Sequence, residues 1–185
     1  MIDLKPANAL AGDTLPVTGE GYRIDPLPAT RITALAPFPG AIDALRDRLG
    51  GFPGPGEVLD QGARRLVWAG RDLAFAFGEG LPEGLHELCA LTDQSDGWAG
   101  LALSGPSALA LLARRVPVDL RQQPAPGAVR TILGHVPVLI ILAPDSAEIW
   151  TWRSIAGSLL HELAAPSAFG IAPAPSGAGL PGSAS

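Results

Sequence analysis

The stretch of sequence that decides the fold is LTDQSDGWAGLALSGPSALALLARRVPVDL, residues 91–120. It opens as a short strand followed by a polar turn at residues 93–97, where Asp and Ser side chains favour bonds back to their own backbone. Near-alternating apolar residues at positions 98–103 predict a second, half-buried strand. Ser104 and Pro106 then predict a sharp helix start, with serine as the N-cap and proline at the first helical position. The stretch therefore predicts strand, turn, strand and helix in succession.

The same order of elements occurs twice when the pattern is followed outward from this stretch. Residues 31–90 and 91–164 each read as a strand, a helix that starts at proline, a loop, a hairpin and a final helix. Both halves close on the tetrapeptide Leu-His-Glu-Leu, at residues 85–88 and 160–163. The predicted fold class is α+β, with two ferredoxin-like βαββα halves, antiparallel sheets and helices on one face of each sheet.

Two segments flank this predicted domain. Residues 1–30 hold several prolines and no periodic pattern, yet they keep apolar residues such as Leu15 and Ile24. This combination predicts an extended arm that lies on the body of the protein or on a partner. Residues 165–185 consist mostly of Pro, Gly, Ala and Ser and predict a mobile tail. The predicted organisation is an arm, a single domain over residues 31–164, and a tail.

The composition argues against several classes of protein. The net charge of −5 and the isoelectric point near 5.1 argue against nucleic-acid binding. Cys89 is the only cysteine, so a reducing, cytoplasmic compartment is expected. The longest apolar run, residues 136–143, is far shorter than the roughly 20 residues that cross a membrane. Hydrophobic residues make up 47% of the chain and charged residues only 17%, which indicates a subunit with a covered face.

No arrangement of residues in the sequence predicts a catalytic or metal site. The histidines and the single cysteine lack the spacing of metal ligands, and the Gly-x-Ser-x-Gly motif of hydrolases is absent. The glycine-rich residues 78–84 depart from the nucleotide-binding pattern and carry two glutamates that would repel a phosphate. Asp93 and Asp96 are expected to bond to the backbone of their turn rather than to act as an acid–base pair. The sequence therefore predicts no catalytic residue, no cofactor and no metal on this chain.

Residues close to position 150 are candidates for packing or for subunit contact. Trp150 and Trp152 lie two apart on a predicted strand and share a face, which fits either a core pair or a partner-binding patch. Arg153 fits either a bidentate bond to a partner carboxylate or an internal salt bridge. Ser154 is expected to cap the last helix.

Three motifs together resemble the gamma subunit of heterotetrameric sarcosine oxidase. They are DQSDGW at residues 93–98, LSGP at residues 103–106 and VDL at residues 118–120. Residues 153–159, RSIAGSL, resemble the last helix of that family. A looser resemblance extends to the folate-binding domain of the glycine-cleavage T-protein, an aminomethyltransferase that shares the strand–Gly-Pro–helix pattern. Together these motifs cover roughly residues 91–163.

The resemblance implies a T-protein-like fold and a non-catalytic gamma subunit. In that family the complex demethylates sarcosine oxidatively to glycine, passing the one-carbon unit to tetrahydrofolate and electrons to oxygen. The implied partners are the alpha, beta and delta subunits, and FAD, FMN, NAD and tetrahydrofolate are expected on those partners. The alternatives are a stand-alone folate or one-carbon-binding module and a structural homo-oligomer.

The candidate structural or interface residues belong either to these motifs or to the tryptophan pair. They are Asp93, Ser95, Trp98, Gly105, Pro106, Trp150, Trp152, Arg153 and Ser154.

Overall fold

Antiparallel strands and a few short helices make up the fold in a computed structural model that describes residues 9–10 and 12–165. The predicted α+β class with antiparallel sheets is confirmed. Within the described residues, no helix is both long enough and apolar enough to cross a membrane. The strands are β1 Val17–Gly19, β2 Tyr22–Pro26, β3 Ile32–Pro37, β4 Val58–Asp60, β5 Arg64–Gly70, β6 Leu73–Gly78, β7 Cys89–Asp93, β8 Trp98–Ser104, β9 Gly127–Leu133, β10 Val136–Ala143 and β11 Ser146–Trp152, and the α-helices are α1 Ile42–Leu49, α2 Ala108–Ala113 and α3 Ala156–Ala164.

Two sheets stack face to face between layers of helices. The five-stranded sheet has the order β4-β5-β6-β3-β7, and the six-stranded sheet has the order β1-β2-β8-β11-β10-β9. Phe75 of the first sheet and Trp150 of the second belong to the apolar layer between them. Leu45 of α1 packs on the outer face of the five-stranded sheet. Leu112 of α2 and Leu159 of α3 pack on the outer face of the six-stranded sheet.

The strand β10 explains the longest apolar run of the sequence. Val138 and Ile140 belong to the core beneath α2 and α3, whereas Leu139 and Ile141 belong to the layer between the sheets. Neighbouring strands pair with β10 on both sides. A strand that is buried on both faces has apolar residues at successive positions, so its sequence does not alternate.

The two halves of the chain build the two sheets in the same order. In each half a central strand precedes a helix and a three-stranded meander, β3-α1-β4-β5-β6 in one and β8-α2-β9-β10-β11 in the other. The repeated tetrapeptides occupy matching places. Residues 160–163 lie in α3 after β11, as predicted, whereas the helix predicted at residues 85–88 is wrong, because these residues begin in a 3₁₀ turn after β6.

The central strands β3 and β8 each have one neighbour that does not belong to the meander. This neighbour follows the meander in one sheet and precedes the central strand in the other. In the five-stranded sheet β7 pairs with β3, whereas in the six-stranded sheet β2 pairs with β8. Residues 89–93 therefore complete the first sheet, and the chain crosses to the second sheet after Asp93 rather than at residue 91.

Part of the predicted N-terminal arm is built into the six-stranded sheet. The strands β1 and β2 form a hairpin, and β2 joins the sheet by pairing with β8. Ile24 of β2 is fully buried in the core beneath the helices. Residues 1–8 and 11 of the predicted arm, and residues 166–185 of the predicted tail, lie outside the described residues.

The helix starts predicted at two serines are wrong. Ser104 is the last residue of β8, and α2 begins only at Ala108. Ser154 lies in a 3₁₀ turn that precedes α3. The residues at the N-cap positions of α2 and α3 make no side-chain capping hydrogen bond. Both helices begin later than predicted because a strand end and a tight turn occupy the serine positions.

Candidate functional site

Four of the predicted residues converge on one cavity. Ser95, Trp98, Trp150 and Arg153 line a cavity of about 230 Å³. Because β8 and β11 are antiparallel, with Trp98 opposite Trp152, the start of β8 lies beside the end of β11. The short turns that precede β8 and follow β11 are therefore in contact. Residues from separate motifs of the sequence meet at this point.

Two tryptophans of this cavity hold the sheets against each other. The ring of Trp98 lies 5.2 Å from that of Phe75, edge to face, and the ring of Trp150 lies 5.0 Å from that of Phe77. Such aromatic pairs stabilise a core beyond the area they bury. A Cβ atom at Gly100 would come within 2.8 Å of the Trp150 ring, so glycine is needed beneath the indole.

Trp152 has a different environment from Trp150. Trp150 is 3% exposed, whereas Trp152, the last residue of β11, is 49% exposed. The spacing that predicted a pair therefore brings together one core residue and one surface residue. A half-exposed indole provides apolar area with a polar edge, which is typical of contact surfaces.

Asp93 and Ser95 form a hydrogen-bonded turn between the two sheets. Asp93 Oδ1 accepts hydrogen bonds from the Ser95 backbone N–H at 2.9 Å and from Ser95 Oγ at 2.6 Å. Ser95 Oγ also accepts a bond from the Ile32 backbone N–H at 3.1 Å. The side-chain bond from Ser95 is the main cause that holds the pKa of Asp93 below its ordinary value. The predicted bonding of Asp93 to its own turn is present.

Replacing Ser95 by alanine is expected to raise the pKa of Asp93 toward its ordinary value. It is also expected to lower the free energy of unfolding by about 1 kcal/mol, because the bond to the Ile32 N–H is lost. The folded-state pKa of Asp93 is depressed, so its carboxylate stabilises the fold above the ordinary pKa and loses that effect as the pH falls through the lowered pKa. An NMR titration of the Asp93 carboxyl, with urea unfolding, measures both effects. The exposed Ser154→Ala is the control, and an unchanged Asp93 titration in Ser95→Ala would contradict this account.

The motif Gly105–Pro106 holds the turn of the N-terminal hairpin. The Ser107 backbone N–H donates to the Gly21 carbonyl oxygen at 2.8 Å. Gly105 has a φ of 108°, and a Cβ atom there would lie 2.6 Å from the same Gly21 oxygen. Only glycine tolerates both this backbone conformation and this close approach. The motif therefore docks the β1–β2 hairpin onto the end of β8.

A second cavity, of about 400 Å³, lies beside β7. Leu91 and Asp93 line it, and the glycine-rich residues 78–81 form the opposite wall with Arg31. Arg31 makes an ion pair with Glu79 at 3.1 Å, and both side chains are more than half exposed. The loop that departs from the nucleotide-binding pattern is therefore one wall of an open groove.

Within the residues that the structure describes, the side chains that could bind a metal or act as a nucleophile are dispersed. Among these described residues, no group of three or more His, Cys, Asp or Glu side chains is placed to hold a metal ion. The three histidines are exposed. The buried Cys89 thiol donates to the Leu85 carbonyl at 3.4 Å, and burial raises its pKa. A raised pKa keeps the thiol protonated and unreactive at neutral pH.

Sequence analysis missed an ion pair that joins the two sheets. Arg65 of β5 donates to both carboxylate oxygens of Glu148 of β11, at 2.8 and 2.9 Å. Glu148 Oε2 also accepts a bond from Trp150 Nε1 at 3.0 Å, and the Arg65 guanidinium lies 5.7 Å from the centre of the Phe77 ring. Hydrogen bonding to Glu148 raises the pKa of Arg65. Glu148 carries the single charge of β11, and that isolated charge was the available signal.

Comparison with known proteins gives a clear structural match. No protein-family model matches the chain, and no curated protein matches it in sequence. A solved structure of heterotetrameric sarcosine oxidase from Corynebacterium sp. U-96, in complex with pyrrole 2-carboxylate, contains a chain that is similar with a TM-score of 0.72 and 25% sequence identity. The match covers 86% of this chain and 93% of that chain. The fold is that of a chain of heterotetrameric sarcosine oxidase.

The match confirms the predicted resemblance to heterotetrameric sarcosine oxidase. The motifs lie in roughly residues 91–163, whereas the structural similarity to the sarcosine oxidase chain covers 86% of this chain. It therefore extends well into the first half, where no motif was recognised. The likeness is one of a whole domain.

Proposed function

We propose that this chain is a non-catalytic, gamma-type subunit of a heterotetrameric sarcosine oxidase-like complex and acts through contacts with the other subunits. The observation that carries the proposal is the structural similarity over 93% of a chain from such an enzyme. An overlap of that extent covers most of both chains rather than one shared motif. It supports a common place in the same kind of assembly.

The roles of the motif residues support a structural function. Asp93 and Ser95 hold a turn, Gly105 holds the N-terminal hairpin, and Trp150 packs between the sheets. Local folding accounts for each of these residue types without a substrate. Trp152, which is 49% exposed, offers contact surface at the end of β11.

The proposal assigns the cofactors to the partner subunits. Alpha, beta and delta partners carry FAD, FMN, NAD and tetrahydrofolate in this scheme. The complex converts sarcosine to glycine in the cytoplasm and transfers the one-carbon unit to tetrahydrofolate. This chain contributes structure and contact surface to that complex.

Purification of the tagged full-length chain from its own cells tests the proposal. We expect a flavoprotein to purify with it, identified by flavin absorbance, and native mass spectrometry to show an assembly of four different polypeptides. A chain that purifies without any flavin-containing partner would contradict the proposal. The same tag on an unrelated protein is the control.

Two other results would favour the alternatives drawn from the sequence. Saturable binding of tetrahydrofolate by the isolated chain in isothermal titration calorimetry would favour a one-carbon-binding module. A defined dimer or trimer of the isolated chain in light scattering would favour a structural homo-oligomer.

A further inference from the structure

We propose that the outer edge of β7 is a docking site for a short extended segment of a partner subunit, which adds to the five-stranded sheet as an antiparallel strand. The inference rests on the proposed function, because the segment belongs to another subunit of the same assembly. It goes beyond that function by naming the surface and the kind of partner segment that the surface accepts.

The edge of β7 has little protection against pairing. The strand pairs with β3 on one side, and the described residues provide no strand on the other. Residues 90–93 are exposed, and the Leu91 side chain is 42% exposed. Sheet edges that stay in water usually carry charges, prolines or bulges, yet residues 89–92 have no charge and no proline. Such an edge is suited to strand addition.

The other sheet shows what covers the equivalent edge. There β2 takes the place of β7 beside the central strand, and β1 pairs with β2 in antiparallel fashion as a sixth strand. Residues 17–19 of β1 are Val-Thr-Gly, three uncharged residues. The five-stranded sheet ends one strand earlier. The internal repeat therefore specifies the missing element as a short, uncharged strand that is antiparallel to β7.

Charge favours a partner chain over a second copy of this chain. Asp93, the last residue of β7, is exposed and carries the one charge of this strand. A second copy would bring another Asp93 carboxylate to the contact, whereas a partner segment that ends in a basic residue complements the charge of Asp93. The five-residue edge is by itself too short to bury the roughly 800 Å² per partner that a stable dimer needs. The segment that fits is uncharged over its paired residues and basic at the end that faces Asp93.

Two matched edge variants test the docking site. Leu91→Lys puts a charge on the β7 edge at an exposed position, and Ile132→Lys does the same at a 47% exposed position on β9, an edge strand of the other sheet. Each tagged full-length variant is purified from its own cells, and the flavin recovered per chain is measured. We expect Leu91→Lys to recover about a tenth or less of the wild-type flavin and Ile132→Lys to recover the wild-type amount. Both variants should melt close to the wild-type temperature.

Hydrogen exchange of the wild-type chain gives a second measurement that needs no variant. We expect amides of residues 89–93 to exchange roughly tenfold more slowly in the assembly than in the isolated chain. If Leu91→Lys recovers the full amount of flavin and residues 89–93 of the wild-type chain gain no protection in the assembly, the docking site is overturned and the proposed function still stands. A wild-type chain that recovers no flavoprotein overturns both. A wild-type homodimer that Leu91→Lys dissociates overturns the partner segment in favour of a second copy.

Discussion

Replacing Gly105 by alanine is expected to lower the free energy of unfolding by about 3 kcal/mol. Gly105 has a φ of 108°, and the added Cβ atom would lie 2.6 Å from the Gly21 carbonyl oxygen, a backbone atom that no side-chain rotation can move aside. The hairpin turn must withdraw, and the hydrogen bond from the Ser107 N–H to Gly21 is lost. Ile24, fully buried on the same hairpin, then loses part of its packing. Urea unfolding measures the loss.

Two glycine controls separate the causes of this loss. Gly40 has a φ of 78°, and a Cβ atom added there would meet nothing within 4 Å, so Gly40→Ala isolates the backbone conformation at a cost of about 1 kcal/mol. Gly157 lies in α3 with open space, so Gly157→Ala is expected to stabilise by about 0.5–1 kcal/mol. Hydrogen exchange over residues 17–26 should accelerate in Gly105→Ala alone. Equal losses in Gly105→Ala and Gly40→Ala would show that the hairpin does not dock there.

The order of elements was predictable because it depends on local patterns. Alternation and turn residues act within a few residues of one another, so they indicated most strands and helices of residues 31–164 in the observed order. The β1–β2 hairpin and the short strand β4 were not indicated, and the helix predicted at residues 85–88 is a 3₁₀ turn. Membership of the sheets was not predictable in the same way. Residues 89–93 pair with residues 33–37, and residues 23–26 pair with residues 101–104. These long-range pairings decide which half each flanking strand completes.

In the candidate site, too, features with local causes were predictable and features with long-range causes were not. The turn bond of Asp93 is local, and the residue types of the turn indicated it. Trp152 is exposed at the end of β11, and the spacing from Trp150 does not encode where the strand ends. Gly105 was recognised in a motif, but its role depends on Gly21, far away in the chain. Sequence motifs and spacing therefore identified residues of the candidate site more often than the residues that they contact.

Breaking the ion pair between Arg65 and Glu148 is the second large effect that we expect. The two side chains are 33% and 26% exposed. The expected loss is therefore about 2 kcal/mol, between the ~0–1 of surface pairs and the ~3–5 of buried ones. Arg65→Met keeps much of the side-chain volume but leaves the Glu148 carboxylate with only the Trp150 Nε1 bond in place of three. Glu148→Met removes the acceptor for both neighbours and should cost at least as much.

A double-mutant cycle tests whether this loss comes from the pair itself. If the pair joins the sheets, Arg65→Met combined with Glu148→Met should be less destabilising than the sum of the single variants, with a coupling of about 2 kcal/mol in urea unfolding. The exposed pair of Arg46 and Asp43 on α1, with side chains 53% and 88% exposed, is the control and should change stability by less than about 0.5 kcal/mol when Arg46 becomes methionine. Additive losses at Arg65 and Glu148 would mean that each residue stabilises the protein through packing alone. In that case contact between the two sheets depends on the aromatic layer around Trp150 and not on this ion pair.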